Sequence, residues 1–242
     1  MRLSVIIPVY NEVNTFSIVI ERLLEKKISG IEIELIVIES NSEDGSRALA
    51  LKYQHHPNVT LLLEDAPKGK GYAVRQGLSV ATGDYIMIQD ADLEYNLDDY
   101  EKLLSHILSE KHAFILGARC IDKPLWKMRA LSGQPLISFF INAGHIFFTK
   151  IINLFFSVNL KDPFTMYKVF RRDCVEGLIF RCNRFEFDIE LLVKIIRKGF
   201  IPIEIPVRYS ARSYQAGKKV RIIPDALYLV RALFFLKFSR DF

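Results

Sequence analysis

The sequence predicts an α/β fold: a mostly parallel sheet with helices on both faces, followed by amphipathic helices toward the C-terminus. Two patterns carry that expectation. In the first half, short apolar runs rich in β-branched residues alternate with segments of helical periodicity, as strands buried on both faces do. After about Lys123 the alternation stops, and Phe-, Ile- and Leu-rich stretches take over. Half of the 242 residues are hydrophobic, enough for a sizeable core. No repeat, low-complexity tract or Gly/Ser linker divides the chain, so one domain over 1–242 is expected, in two halves, 1–122 and 123–242.

Leu3–Val9 opens as the first strand, with a helix from about Val13 to Lys26. Ile33–Ile38 is the second strand; Ser42–Gly45 then offers turn and cap residues before a helix through Tyr53. Val59–Leu63, Tyr85–Ile88 and Ala113–Leu116 repeat the theme. Pro135–Leu160 is apolar but contains His145 and Lys150. A spanning helix takes roughly 20 apolar residues without a central charge, so two packed or membrane-facing amphipathic helices are expected there. Ile201–Val207 is a late strand, and Pro224 begins a final helix that Arg231 interrupts. Its Phe, Leu and basic residues suit a helix lying in a lipid interface; a core-packing helix or an oligomer contact is the alternative.

The net charge of +5 suits an anionic small molecule, an anionic membrane or nucleic acid, and chooses among none of them. Cys120, Cys174 and Cys182 lack the close pairs of a zinc site and read as reduced thiols of a cytosolic protein. The N-terminus runs straight into a strand-like segment, with no signal peptide expected. The sequon Asn58-Val59-Thr60 is then a chance match.

Chemistry concentrates after the strands, where parallel sheets bind ligands. Tyr85–Ile88 ends abruptly in Gln89-Asp90-Ala91-Asp92, two carboxylates spaced i, i+2. Such carboxylates are costly unless a cation or hydrogen-bond donors satisfy them, and Mg²⁺ or Mn²⁺ would bridge them to a diphosphate. Glu94 could extend that site. A helix N-cap in a solvated turn is the plainer reading. Pro8-Val9-Tyr10-Asn11-Glu12 closes the first strand and Glu39–Ser46 the second. Lys68-Gly69-Lys70-Gly71 follows the third, where glycines let backbone amides and lysines such as Lys70 approach phosphate.

Taken with Leu116–Arg119, Asp162–Arg171, Phe185–Glu190 and Arg212–Lys219, this ordered set resembles the family 2 glycosyltransferases of the GT-A fold, with their Rossmann-like sheet. It is similar to the dolichyl- and polyprenyl-phosphate sugar synthases. The resemblance implies that Pro8, Tyr10, Glu12 and Glu39 cradle the nucleoside of a nucleotide-diphosphate sugar, beside Lys70, Asp90 and Ala91. Asp90, Asp92 and Glu94 would hold Mg²⁺ or Mn²⁺, and Arg119, Arg129, Arg212 and Lys218 would meet phosphates. Residues 1–122 become the nucleotide-binding half and 123–242 the acceptor or membrane-facing half. Two positions depart from the family: Glu39-Ser40 stands where two aspartates are usual, and Glu94 where glutamine is common.

The resemblance also implies inversion by one displacement at the sugar. Asp92 is the central catalytic residue, with Asp188, Glu190 or Glu186 as bases for an acceptor hydroxyl. A phosphate acceptor, already anionic, needs no base. The preferred acceptor is a polyprenyl phosphate at the cytoplasmic face of a membrane, reached by a peripheral, cytoplasmic hexosyltransferase. The alternative is a hydroxyl of a polysaccharide or other glycan. Self-association through exposed apolar helices is expected to be possible, and nucleic-acid binding is not expected. A sugar nucleotidyltransferase would open with a Gly-rich phosphate loop, unlike Pro8–Glu12. A non-catalytic membrane-binding module remains the third reading.

Overall fold

A computed structural model of the chain describes residues 1–109, 112–119, 128, 134–212 and 222–238. Its strands are β1 (Arg2–Val9), β2 (Glu32–Glu39), β3 (Val59–Leu63), β4 (Tyr85–Ile88), β5 (Phe114–Ala118), β6 (Lys168–Arg171) and β7 (Ile203–Pro206). Its helices are α1 (Phe16–Glu25), α2 (Ser46–Leu51), α3 (Lys70–Val80), α4 (Tyr100–Leu108), α5 (Pro135–Phe156), α6 (Phe187–Arg197) and α7 (Ile222–Phe238). One seven-stranded sheet runs in the order β3-β2-β1-β4-β6-β5-β7. β3, β2, β1 and β4 are parallel, as are β5 and β7, while β6 lies antiparallel between β4 and β5.

Both faces of the sheet are covered. Leu3, Ser4, Val5, Ile6 and Ile7 point alternately to opposite faces and all are fully buried. Each buried Leu, Val or Ile adds about 1.5–3 kcal/mol to the drive for folding. α1 buries Phe16, Val19, Ile20 and Leu23, the one-sided spacing of a helix lying on a core.

Every expected strand is present, and the sheet adds one that the sequence did not announce. β6 is four residues long, begins with Lys168 and ends with Arg171, so its pattern reads as a loop. Lys168 is fully buried and donates to the Thr165 carbonyl. Pairing of Val169 with Met87 brings the 162–171 segment beside β4.

The expectation of two helices over Pro135–Leu160 is corrected: α5 is a single helix of 22 residues. Pro135 pre-sets its first turn, and Ser157, with φ of 54°, ends it in the left-handed region. Helix α5 is long and apolar enough to cross a membrane by length and composition. Its pattern is inside out. Ser138, Asn142, His145, Thr149 and Ile152 are buried, whereas Leu136, Phe139, Phe140, Phe147 and Leu154 are 60–77% exposed. Two of the inward polar groups have partners nearby: Ser138 Oγ donates to Gln134 O at 3.0 Å, and His145 Nε2 lies 3.3 Å from Lys161 O. α7 continues the apolar surface with Leu227, Phe234 and Phe238, burying Leu233 and Leu236. Lys237 Nζ reaches the Phe155 carbonyl at 2.6 Å, and the Phe155 and Phe234 rings meet edge to face.

Candidate active site

The carboxyl ends of β1 and β2 are zipped together by short polar side chains. Asn11 and Asn41 both adopt left-handed backbone (φ 50° and 53°), a conformation asparagine tolerates better than most residues. The Asn11 N–H donates to Ser42 Oγ at 2.9 Å, and Asn11 Oδ1 accepts from the Glu43 N–H at 2.9 Å. The Glu12 N–H donates to Ser46 Oγ at 2.8 Å. Pro8 is half-buried within β1, and Tyr10 is exposed just beyond it. Val9 is in register with Glu39, so the four residues expected around a nucleoside do converge on one edge. Glu39 is fully buried; one oxygen accepts from the Ser42 N–H at 2.7 Å and the other lies 3.3 Å from Arg47.

Next to this edge stands an acidic centre. β4 leads into Gln89, whose side chain accepts from Tyr100 Oη at 2.9 Å and whose N–H donates to Ile6 O at 2.9 Å. That anchoring fixes where Asp90 and Asp92 emerge. Asp90 pairs with Lys70. Arg212 gathers the rest, with Nη2 2.7 Å from Asp92, Nη1 2.8 Å from Glu12 and its N–H 2.8 Å from Glu94. Tyr209 Oη donates to the second Glu94 oxygen at 2.6 Å. The Ala91 carbonyl is tied to Thr15 Oγ1 at 2.8 Å.

Burial, reinforced by Asp90, pushes the Asp92 carboxyl up to about 7, against the downward pull of Arg212. The Arg212 guanidinium is itself held above its usual range by Glu12, Asp92 and Glu94, which outweigh its burial. Lys70 is likewise raised by Asp90, Asp188 and Asp92 against its burial. Two cations, Lys70 and Arg212, thus face four carboxylates, those of Asp90, Glu12, Asp92 and Glu94.

The chemistry of that set fits a hard dication, which favours carboxylate oxygens. Among the described residues, no three acidic, histidine or cysteine side chains surround a common point, because Asp90 turns to Lys70 while Asp92 and Glu94 turn to Arg212.

Other expected residues are placed differently. The glycines of Lys68–Gly71 serve packing rather than an open phosphate loop. Gly69, with φ of 106°, lies so close to the Asn183 carbonyl that a Cβ would collide with it, and a Cβ on Gly71 would strike Phe187. The Tyr72 N–H already donates to Asn183 O at 3.1 Å. Arg119 is buried in a two-pronged pair with Asp162, at 2.8 and 2.7 Å, so its guanidinium faces a carboxylate instead of the expected phosphate. Glu190 accepts the Arg181 and Cys182 N–H groups at 2.8–3.0 Å and lies 3.3 Å from Lys194. It braces the turn before α6 and is not presented to a hydroxyl. Arg129, Lys218 and Cys120 lie outside the described residues.

Asp188 is buried and within electrostatic range of Lys168, Lys70 and Asp90. Burial raises its carboxyl, opposed by Lys168 and Lys70, while Asp90 raises it further. Burial pulls Lys168 down to about 8, partly countered by Asp188 and Asp162.

Sequence reasoning passed over Lys168 and Glu64. Glu64 follows β3 directly, its N–H donating to Glu39 O at 2.9 Å. It is only 7% exposed. The signal for both was a charge set in an apolar run.

A model of the family described as "Glycosyl transferase family 2" matches residues 4–178. The chain is 25% identical over 223 residues to a dolichol-phosphate mannosyltransferase of Pyrococcus furiosus, a match covering 90% of this chain and 59% of the relative. A low-salt glycan biosynthesis hexosyltransferase of Haloferax volcanii is 28% identical over 233 residues, covering 95% and 52%. A dolichyl-phosphate β-glucosyltransferase of Trichomonas vaginalis is 25% identical over 238 residues, covering 91% and 68%. The chain thus spans between about half and two thirds of the length of these relatives.

Among solved structures, glucosyl-3-phosphoglycerate synthase of Mycobacterium tuberculosis, crystallised with Mn²⁺, UDP-glucose and phosphoglyceric acid, superposes with a TM-score of 0.68 at 15% identity, covering 99% of this chain and 81% of that one. Mannosyl-3-phosphoglycerate synthase of Rubrobacter xylanophilus gives 0.68 at 18% identity, covering 96% and 73%. The shared fold is of the GT-A type.

Proposed function

Starting from a chain that belongs to glycosyl transferase family 2, we propose that it moves a sugar from a nucleotide-diphosphate donor to a polyprenyl phosphate at the cytoplasmic face of a membrane, with inversion. The observation that carries this reading is the Arg212 cage: Glu12, Asp92 and Glu94 on one guanidinium, with Asp90 on Lys70 beside them. Such a balance of carboxylates and cations suits a metal–diphosphate better than a plain helix cap, which would use one carboxylate. The Mn²⁺ and Mg²⁺ complexes of the structural neighbours support the same choice.

Residues 1–122 would bind the donor and 123–242 the acceptor. Pro8, Tyr10, Glu12 and Glu39 hold the nucleoside, while Asp90, Asp92 and Glu94 hold Mg²⁺ or Mn²⁺. That ion, when bound, neutralises charge building on the departing diphosphate. Arg212 and Lys70 exchange carboxylate partners for phosphate oxygens, joined by Arg129 and Lys218, and stabilise the same charge. Arg119 and Glu190, committed to Asp162 and Lys194, hold the scaffold. The acceptor oxygen forms its bond to the anomeric carbon from the face opposite the diphosphate. The sugar–phosphate bond breaks, and its electron pair leaves on the diphosphate. A phosphate acceptor has no proton to surrender.

The outward apolar faces of α5 and α7 support the lipid-linked acceptor, since soluble proteins seldom expose such contiguous patches. A second reading, transfer to a glycan hydroxyl, is favoured by Asp188, a carboxylate of raised basicity among Lys168, Lys70 and Asp90 that is able to take the hydroxyl proton. Transfer assays with Mn²⁺, a panel of labelled nucleotide sugars, and either a short polyprenyl phosphate or an oligosaccharide decide between them. Product on the phosphate lipid alone is expected. Product on the oligosaccharide alone contradicts the lipid acceptor, and product on neither contradicts the transferase reading.

A further inference from the structure

We propose that a cavity between α3 and the segment following β6 binds a small organic carboxylate with an apolar body, apart from the acidic centre. The cavity encloses about 430 Å³, within the range of small-molecule sites. Leu78, Ile86, Leu178 and Phe180 give it apolar walls, and Arg75 and Arg172 are the cations that face it. Arg171 is in register with Tyr85, the first residue of β4, so Arg172 stands at the amino end of that strand. Asp90 follows the opposite end. The cavity and the donor edge therefore lie at different ends of β4.

Neutral oxygens hold both guanidinium groups in place. Arg75 Nη1 donates to Phe180 O at 2.8 Å, and its Nη2 donates to Asn183 Oδ1. The same guanidinium lies over the Tyr72 ring, 5.3 Å from its centroid. Arg172 Nε donates to Gly83 O at 2.9 Å. The neighbouring Arg171 shows the contrast, since it clamps the Asp173 carboxylate with two bonds of 2.7 Å. Among the described residues, neither Arg75 nor Arg172 forms an ion pair with a carboxylate, and Arg75 Nε and Arg172 Nη2 are buried without an acceptor. Buried arginine is ordinarily paired, and two like charges on one cavity repel. These contacts fix the position of the charge and leave it uncancelled. An anion in the cavity supplies what is missing.

The lining also narrows the kind of anion. Glu176 borders the cavity as an exposed carboxylate, so two guanidiniums and one carboxylate leave a single positive charge there. That balance suits a monoanion better than a phosphate dianion. A carboxylate is planar and takes parallel N–H bonds from an arginine fork. A bare inorganic anion would leave the Leu78, Ile86 and Phe180 walls wet, whereas an apolar body covers them.

The test is titration calorimetry of the whole chain with 3-phenylpropionate, its neutral amide and inorganic phosphate, repeated on Arg75→Gln and Arg172→Gln. The acid is expected to bind wild type at least about tenfold more tightly than the amide or phosphate, because only it joins charge-assisted bonds to apolar contact. Each substitution should weaken the acid about tenfold or more. Saturating UDP or GDP with Mn²⁺ should leave acid binding unchanged. The amide binding as tightly as the acid overturns the proposal in wild type alone, whether or not the variants fold. So do absence of acid binding, undiminished binding in both folded variants, or displacement of the acid by nucleotide, which would put it on the donor edge. None of these results bears on the transferase reading.

Discussion

On the sheet, Leu3, Ile6 and Leu35 are buried and the acidic residues gather beyond the strand ends; on α5, Asn142, His145 and Thr149 face inward while Phe139, Phe140 and Leu154 face out. One chain therefore follows two opposite patterns. The sheet obeys the rule for a protein in water, whereas the α5–α7 face reverses it and turns large apolar side chains outward. Ser138 and His145 keep polar contacts despite this reversal, whereas the buried Thr149 hydroxyl finds no hydrogen-bond partner among the described residues. The lesson is that the outward face reports on its surroundings as clearly as the inward one reports on the core.

The comparison breaks first at the acidic centre. Replacing Asp92 with Ala should cut sugar transfer on the order of 10²–10³-fold, the usual cost of losing one group that stabilises developing charge. The same change should not cost stability at neutral pH. The folded Asp92 carboxyl sits near 7 against 3.8 for the free group, so the folded state holds the extra proton between those values. Stability therefore falls as pH rises through that window and stays lowered above it. Melting curves of wild type and Asp92→Asn across the range should converge at low pH, with the variant higher near neutrality by about 2–4 °C per kcal/mol.

The acceptor's chemistry is sharpened by Asp188→Asn. Transfer to a hydroxyl should drop about 10²-fold or more, whereas transfer to a phosphate should change little. Parallel rates on the two acceptors make the check.

On the outer face, changing Phe139, Phe140 and Phe147 together to Ser should abolish flotation with anionic liposomes. Because these rings are at least 60% exposed, stability should move by no more than about 0.5 kcal/mol per site. The reverse holds at Asn153, whose side chain closes both hydrogen bonds to Leu160, at 2.9 and 3.0 Å. Asn153→Leu should cost about 1–3 kcal/mol of stability while flotation persists. If the Phe triple variant still floats, the apolar face is a packing or self-association surface.

The smallest effect belongs to Lys168. Its folded ammonium titrates near 8 and its unfolded one near 10.5, so the unfolded chain binds more protons between them. Stability should rise with pH in that window, and Lys168→Met should flatten the rise. Chemical denaturation at graded alkaline pH measures it.

The first half of the fold was legible because buried parallel strands write themselves as unbroken apolar runs, and polar residues follow them at the carboxyl edge of the sheet. Asp90, Asp92, Glu94, Glu12 and Arg212 do converge there. Less was legible where long-range packing decides. β6 is short and charged at both ends, and gains its place by pairing with β4 and β5. Gly69 and Gly71 looked like a phosphate loop but answer to Asn183 and Phe187, more than a hundred positions away in the chain. α5 looked like two helices because His145 and Lys150 interrupt its apolar run; one of them turns inward and the other to the surface of a single helix. Arg119 showed the right residue type, but its partner Asp162 lies 43 positions away and could not be read from spacing, whereas Lys194 stands one helical turn after Glu190 and could.

The central claim is that Asp90, Asp92 and Glu94 grip a dication that anchors the donor's diphosphate. Calorimetric titration of nucleotide diphosphate into the intact chain, with Mn²⁺ and with chelator, tests it most directly. Binding at least tenfold tighter with Mn²⁺ is expected, together with loss of that difference in Asp92→Ala. Equal affinity with and without the metal, or an unaltered metal dependence in Asp92→Ala, would contradict it.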